Sequence, residues 1–353
     1  MTTYHFNSDN GAPVCTQVMQ ALADCNTGVE TAYGADRWSV RLNAVYSEFF
    51  ERECFVFPVA TGTAGNGLAL GAVTPPYGTI FCHGKAHIVT TECGAPEFYS
   101  GGGRMTLLDG KDNKIAGETL DAALQDHGIG NVHHMQASTL SVTQATEAGV
   151  TYSLAELQEL CEIAHTAGMT THLDGARFSN AMVHLGASPA EMTWKAGVDV
   201  LTFGTTKNGT MNAEAVITFD LAIAKVLCFM HKRAGHLSSK MRYMSAQLLS
   251  YLENDLWHAN AARANANARR VANALGACPD VKLVHPVHIN EVFAIVPVAM
   301  QDVLQSADIC LRPWNCDQSG QGSRMVMSYC DCEEQIAALE QACRAYVLTA
   351  NHA

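Results

Sequence analysis

Short apolar runs recur along the first two thirds of this chain: Cys54-Phe55-Val56-Phe57-Pro58, Thr79-Ile80-Phe81-Cys82, Thr170-Thr171-His172-Leu173-Asp174, Asp199-Val200-Leu201-Thr202-Phe203 and Ala215-Val216-Ile217-Thr218-Phe219. Each is too short for a helix and suits a buried strand, and segments of helical periodicity fill the intervals. One such segment follows Ser153, with Glu156 three residues on, apolar Leu154, Leu157, Leu160, Cys161 and Ala164, and Gly168 as a stop. That is a capped amphipathic helix. Strand and helix in alternation predict an α/β fold with a large domain on a mostly parallel sheet. Residues 221 to 275 read as helical throughout, and the Ala/Asn/Arg-rich piece from Ala259 to Leu275 interrupts the rhythm. The expected organisation is an arm over 1–15, a large domain over 16–250 and a small C-terminal α+β domain over 251–353. In the last, residues 281–284, 291–296 and 323–328 read as strands and 333–348 as a helix.

Open parallel sheets bind ligands at the carboxyl ends of their strands. Asp174 and Arg177 fall at one such end, and Thr205-Thr206-Lys207-Asn208-Gly209 follows another. An ε-ammonium at the end of an apolar strand loses hydration, which lowers its pKa and frees the neutral amine that attacks an aldehyde. A carboxylate at a neighbouring strand end is placed to keep a pyridinium nitrogen protonated. Together these are the two protein groups that pyridoxal phosphate requires. Singly, each also reads as a solvated loop lysine or an ordinary Asp-Gly turn. Their order, with Lys207 thirty-three residues after Asp174, makes the pair far more specific than either alone.

A phosphate needs fixed donors, and Ala60-Thr61-Gly62-Thr63-Ala64-Gly65-Asn66-Gly67 opens a helix with small residues and hydroxyls. Backbone N–H groups and the helix dipole would grip the anion there. The stretch is neither a Gly-Lys-Ser/Thr phosphate loop nor a Gly-x-Gly-x-x-Gly fingerprint. His87, just past the strand at 79–82, is placed to stack on a cofactor ring, and Arg324 to close on a substrate carboxylate as a bidentate fork. The blander readings are a capping or core histidine and a surface ion pair.

A net charge of −12 argues against nucleic acid or an anionic membrane as partner. With 48% hydrophobic and 16% charged residues the chain has a globular composition, and a small-molecule substrate fits it best. The N-terminus shows no basic region followed by an apolar stretch, so the expectation is a soluble cytoplasmic protein. Thirteen scattered cysteines read as reduced core residues, and Cys330-Asp331-Cys332 lacks zinc spacing, so no catalytic metal is expected.

With these residues in view, the chain resembles the low-specificity L-threonine aldolases, pyridoxal-phosphate enzymes of the aspartate-aminotransferase fold type I. The likeness runs through Phe6-Asn7-Ser8-Asp9, Ala32-Tyr33-Gly34-Ala35-Asp36, Ala60-Thr61-Gly62-Thr63, Ala86-His87, His172-Leu173-Asp174-Gly175-Ala176-Arg177-Phe178, Thr206-Lys207-Asn208-Gly209 and Arg324-Met325-Val326. The resemblance implies a seven-stranded large domain and cleavage of β-hydroxy-α-amino acids to glycine and an aldehyde. It implies that Lys207 carries the cofactor, Asp174 contacts the pyridine nitrogen, and Gly62 and Thr63 hold the phosphate with Thr205 or Thr206 as helpers. His87 would stack on the ring and is a candidate base. Ser8, Arg177 and Arg324 would receive the substrate carboxylate, with Arg177 also near the cofactor hydroxyl and Tyr33 among the substrate-binding positions. Lys232, Arg233 and Arg242 would reach a neighbouring subunit's phosphate in a homodimer or homotetramer.

Two stretches depart from the family. Phe6-Asn7-Ser8-Asp9-Asn10 stands where Arg-Ser-Asp-Thr is common, and Ser141-Val142-Thr143-Gln144 where Glu-Asn-Thr-His is common. The second removes a histidine from a loop expected near the substrate β-hydroxyl, which leaves open the threo or allo preference and the size of the side chain. β-Elimination or transamination on the same scaffold, and a non-catalytic binding protein that retains the fold, are the rival readings.

Overall fold

In the computed structural model, which describes residues 3–314 and 322–350, seven strands form the central sheet. Their order is Phe55–Val59, Glu214–Thr218, Val200–Phe203, Thr170–Gly175, Gln136–Thr143, Gly78–His83 and Arg104–Leu108. Every pairing is parallel except the two made by Glu214–Thr218, so the α/β expectation is met. Gly78–His83, Val200–Phe203 and Glu214–Thr218 are buried along their whole lengths, as strands covered by helices on both faces must be. The helix Leu154–Thr166 starts with the expected reciprocal cap: Ser153 N–H donates to Glu156 Oε2 at 2.7 Å, and Glu156 N–H to Ser153 Oγ at 3.3 Å.

Two strands of the central sheet escaped the periodicity reading. Arg104–Leu108 is a half-exposed edge, and Gln136–Thr143 is rich in hydroxyls that are satisfied inside the protein rather than in water. Thr139 pairs with Thr74 at 2.8 Å and Ser141 with His172 Nδ1 at 2.9 Å. The stretch Ser141–Thr143, read as loop, is therefore the end of a central strand, with Thr143 in register with Asp174. The segment 221–275 is also not one continuous helical region: it forms Leu221–Arg233, Arg242–Leu252 and Leu256–Gly276. Gly235 at φ 81° follows the first, and Asn254 and Asp255 at φ 52° and 53° separate the second from the third. Left-handed residues cannot continue a right-handed helix, and Gly, Asn and Asp adopt that conformation most readily.

A second sheet, Arg312–Pro313, Gly322–Val326, Glu291–Ile295 and Lys282–Leu283, is antiparallel and packs with helices Val298–Ser306 and Glu333–Ala350. The N-terminal segment is built into this region. Tyr4–His5 pairs with Ile309–Cys310, Val326 N–H donates to the Phe6 carbonyl at 2.8 Å, and Phe6 is fully buried in the same apolar core as Val292 and Met325. Residues 1 and 2 of the expected arm, and 315–321 and 351–353 of the expected C-terminal domain, lie outside the described residues. Among the described residues no helix is long and apolar enough to cross a membrane.

Gly204 decides how closely the two strand ends of interest can meet. A Cβ there would stand 2.6 Å from the Ala176 carbonyl oxygen and 2.7 Å from Ala176 Cα, so the segment leading to Lys207 passes the one after Asp174 only without a side chain. Gly204→Ala should destabilise the protein by about 1–3 kcal/mol through backbone overpacking. Urea denaturation should show a lower midpoint with an unchanged slope; an unmoved midpoint would mean the strand ends have slack.

Candidate active site

Lys207 lies in the single turn Thr206–Asn208 that follows Val200–Phe203. The turn is held from several directions. Buried Glu214 Oε2 accepts the Thr205 N–H at 2.7 Å, the Thr205 hydroxyl donates to the Ala213 carbonyl, and Asn208 Nδ2 donates to Tyr251 Oη at 2.7 Å and the Trp257 carbonyl at 2.9 Å. Gly209 at φ 125° closes it, since a Cβ there would stand 2.3 Å from Cys15 Sγ. Asn260, from the Ala/Asn/Arg-rich helix, donates to the Asn208 carbonyl at 2.8 Å. The backbone around Lys207 is thus fixed, while its half-buried side chain makes no hydrogen bond among the described residues and borders two adjoining cavities.

The first cavity, about 380 Å³, is bounded by Gly62, Thr63, Asn66, Asp174, Thr206 and Glu214 among others. The helix Gly62–Val73 opens into it directly after the strand Phe55–Val59. Of the early N–H groups that a helix cannot satisfy internally, that of Ala64 donates to Thr61 Oγ1 and that of Gly65 to the Thr61 carbonyl. The N–H groups of Gly62 and Thr63 remain without partners among the described residues, at the positive end of the helix. Asp174 is 2% exposed. Its Oδ1 accepts the Ala176 N–H at 3.1 Å and its Oδ2 accepts Asn66 Nδ2 at 3.0 Å. Two residues before it, His172 is enclosed between Ser141 and Thr202, and burial pushes its pKa down to about 4. An anion site, a carboxylate and an amine around one cavity form a donor set that suits pyridoxal phosphate: backbone N–H groups for the phosphate, Asp174 for the ring nitrogen and Lys207 for the aldehyde.

The second cavity, about 330 Å³, shares His87, Asp174 and Lys207 with the first and adds Ser8, Thr143, Thr146, Glu147, Arg177 and Arg324. Of the three guanidinium groups on its wall, those of Arg177, Arg312 and Arg324, the first and last are tied to carboxylates. Arg177 Nε and Nη2 donate to Asp9 at 2.7 and 3.0 Å, and its Nη1 donates to Glu291 Oε2 at 3.0 Å. Arg324 Nε and Nη2 both donate to Glu291 Oε1, at 2.9 and 2.5 Å. Burial alone would raise the pKa of Asp9, but the Arg177 guanidinium overrides it and holds the carboxyl at about 2. Arg324 Nη1 has no acceptor among the described residues, so this side chain keeps an open donor for an incoming carboxylate. Glu147 accepts the His87 N–H at 2.7 Å, and burial, with Asp174 nearby, pushes its carboxyl up to about 7.

The sequence-predicted residues are thus divided. Gly62, Thr63, His87, Asp174, Thr206, Lys207, Ser8, Arg177 and Arg324 converge on the two cavities. Thr205 does not: it is fully buried behind the turn and its hydroxyl is engaged by Ala213 and Thr210. Tyr33, Arg233 and Arg242 line neither cavity. Arg242 donates to the Thr27 and Gly28 carbonyls, Lys232 lies over the Tyr33 ring at 4.4 Å, and Arg233 borders a separate cavity with Tyr99 and Met230. Asp9, Glu291, Asn66 and Glu92 were missed. Glu291 heads an apolar strand and Asn66 lies in a helix of small residues, and a lone polar group in such a setting is the available signal for each.

This arrangement has relatives. The sequence matches the profile of the beta-eliminating lyase family over residues 5–299. It is 41% identical over 292 residues to the low specificity L-threonine aldolase of Pseudomonas aeruginosa, covering 82% of this chain and 84% of that protein. It is 39% identical over 289 residues to the low specificity L-threonine aldolase of a Pseudomonas species, covering 82% and 83% of the two chains. In three dimensions it overlays the Leishmania major threonine aldolase with a TM-score of 0.90 at 23% identity, across 98% of this chain and 99% of that one. Lysine, aspartate and helix terminus around one cavity, together with these matches in sequence and fold, assign the chain to the beta-eliminating lyase family, as a member of its low-specificity L-threonine aldolase group.

Proposed function

We propose that the protein cleaves L-threonine, L-allo-threonine or a related β-hydroxy-α-amino acid such as phenylserine to glycine and an aldehyde, using pyridoxal 5'-phosphate. The convergence of Lys207 and Asp174 on one cavity, beside the two unpartnered N–H groups of Gly62 and Thr63, carries this reading. When bound, the cofactor supplies an electron sink for the pair of electrons left by the broken Cα–Cβ bond. The chain's own residues do the rest. Lys207 would be the attachment point, the Asp174 carboxylate would accept the ring N–H, and Gly62, Thr63 and Thr206 would hold the phosphate. His87, which borders both cavities, would lie against the ring and take the β-hydroxyl proton. Ser8 and the open Nη1 of Arg324, with Arg177 behind them, receive the substrate carboxylate, and fixing that group selects which bond at Cα is broken.

The deciding assay incubates cofactor-supplemented protein with each of the three substrates and quantifies products. Aldehyde and glycine in equal amounts are expected; keto acid release or amino transfer would mean that elimination or transamination is the activity. Arg324→Lys keeps a cation beside Glu291 but loses the planar fork. It should raise KM for L-threonine by about 10- to 100-fold, the range of a hydrogen bond to a charged group, with a smaller change in kcat. Steady-state kinetics would count against the assignment if KM did not move. Tyr33, Arg233 and Arg242 are read as groups serving a neighbouring subunit's site in a cytoplasmic homodimer or homotetramer, which sedimentation of the holoenzyme tests directly.

A further inference from the structure

His87 and Glu92 form a pair that the cofactor chemistry above does not require. His87 Nδ1 lies 2.7 Å from Glu92 Oε1, and the Glu92 side chain is completely shielded from solvent while the imidazole is 43% exposed and borders both cavities. Asn66 Nδ2 reaches the same Glu92 oxygen at 2.7 Å and Asp174 Oδ2 at 3.0 Å. An atom touching two carboxylates must be the amide nitrogen, which only donates, so Glu92 Oε1 is an acceptor. Glu92 Oε2 is buried without a partner among the described residues, so a proton placed there would find none of them to bond. A carboxyl is a stronger acid than an imidazolium, so the one proton between them is assigned to His87 Nδ1, where it meets the carboxylate oxygen. Nε2, without a partner among the described residues, is then the nitrogen whose lone pair is free.

We propose that Glu92 is a positioning residue that holds the Nδ1 proton of His87, fixing the tautomer in which Nε2 accepts the substrate β-hydroxyl proton, and that Asn66 ties this dyad to Asp174. The inference deepens the function proposed above and rests on it. A single amide bridges Glu92 and Asp174; burial and the neighbouring Asp174 push the Glu92 carboxyl up, and the bonds from His87 and Asn66 oppose that rise. A buried carboxylate with one orphaned oxygen is costly as a purely structural pair, whereas a carboxylate behind an imidazole is the usual means of orienting a histidine base.

Four ionisable groups face His87. Glu92 lies on its own segment, Glu147 on the loop after Gln136–Thr143 with its Oε1 on the His87 N–H, Asp174 at the end of its strand, and Lys207 on its turn. The bond to Glu92 raises the His87 pKa against the lowering effect of burial. A base works when neutral, so kcat/KM should climb with pH as His87 loses its second proton.

Two variants of the holoenzyme separate charge from tautomer. Glu92→Gln keeps an acceptor oxygen for Nδ1–H but removes the charge, so the acidic limb of kcat/KM should move to lower pH with kcat largely retained. Glu92→Leu removes the acceptor, so kcat should fall by roughly 10²- to 10⁴-fold, the range of a general base, with KM changing much less. The direct readout is 15N-correlated NMR of the His87 ring, assigned with His87→Gln. Wild-type protein should show the Nδ1–H form with a titration midpoint above that of Glu92→Gln, and Glu92→Leu should populate the Nε2–H form. An identical ring tautomer in wild type and Glu92→Leu would overturn the proposal. So would superimposable pH profiles and midpoints for wild type and Glu92→Gln, which remains informative if the leucine variant does not fold. Because the ring signals do not depend on turnover, loss of the dyad is distinguishable from failure of the aldolase reading, which shows instead as a protein that releases no aldehyde.

Discussion

Lys207→Ala is expected to reduce aldehyde release from L-threonine by roughly 10⁴-fold or more, the scale on which enzymes lose activity when the covalent nucleophile is removed. Lys207 is the lysine that lines both cavities, and no second lysine borders either among the described residues, so nothing nearby replaces it. The fold should be untouched. The turn is secured by Glu214, Ala213, Tyr251, Trp257 and Asn260 acting on its neighbours, and the lysine side chain itself contributes no hydrogen bond to that framework. Circular dichroism and the thermal midpoint should therefore match wild type while turnover is lost, and borohydride should no longer fix the cofactor to the chain. Turnover within tenfold of wild type would remove the amine from the reaction and the proposed chemistry with it.

Asp174→Asn should cost roughly 10²- to 10³-fold in kcat, the scale of losing one preorganised charge-stabilising group. The reason is electrostatic: an amide carries no charge to hold a proton on the ring nitrogen. A structural effect accompanies it. Both carboxylate oxygens accept N–H groups, from Ala176 and Asn66, so an asparagine must set an NH₂ against one of these donors. That mismatch should lower stability by about 1–3 kcal/mol. Kinetics on protein shown by denaturation to remain folded, with cofactor content determined, separate the two effects. Near-normal kcat in folded, cofactor-loaded Asp174→Asn would refute the role given to this carboxylate.

Legibility varied with the kind of information each residue carries. The Lys207 and Asp174 strand ends could be read because a short apolar run, a polar tip and a following glycine are local features, and a parallel sheet presents its strand tips on one side. Gly62 and Thr63 were legible for a similar reason, as a small-residue opening to a helix. The strand Gln136–Thr143 was not, because its hydroxyls imitate a loop until Thr74 and His172 are brought beside them. The breaks within 221–275 were hidden because single residues at positive φ carry little weight in a long helical pattern. Thr205 has the same residue type as Thr206 beside it, and only the packing of Ala213 and Thr210 turns its hydroxyl away from the cavity.

The amino-acid order alone was enough to specify the α/β architecture, a lysine and an aspartate at neighbouring strand tips, and the resemblance to a threonine aldolase. The first two depend on periodicity and turn chemistry within a few residues of chain, and the resemblance on short motifs spread along its length. The state of charge in the site required the folded molecule. Asp9, Arg177, Glu291 and Arg324 come from four distant segments, and Asn66 joins Glu92 to a strand more than a hundred residues away. Electrostatic partners are chosen by distance and burial in space, so which guanidinium keeps an open donor, and which nitrogen of His87 holds its proton, follows from the packing of these segments.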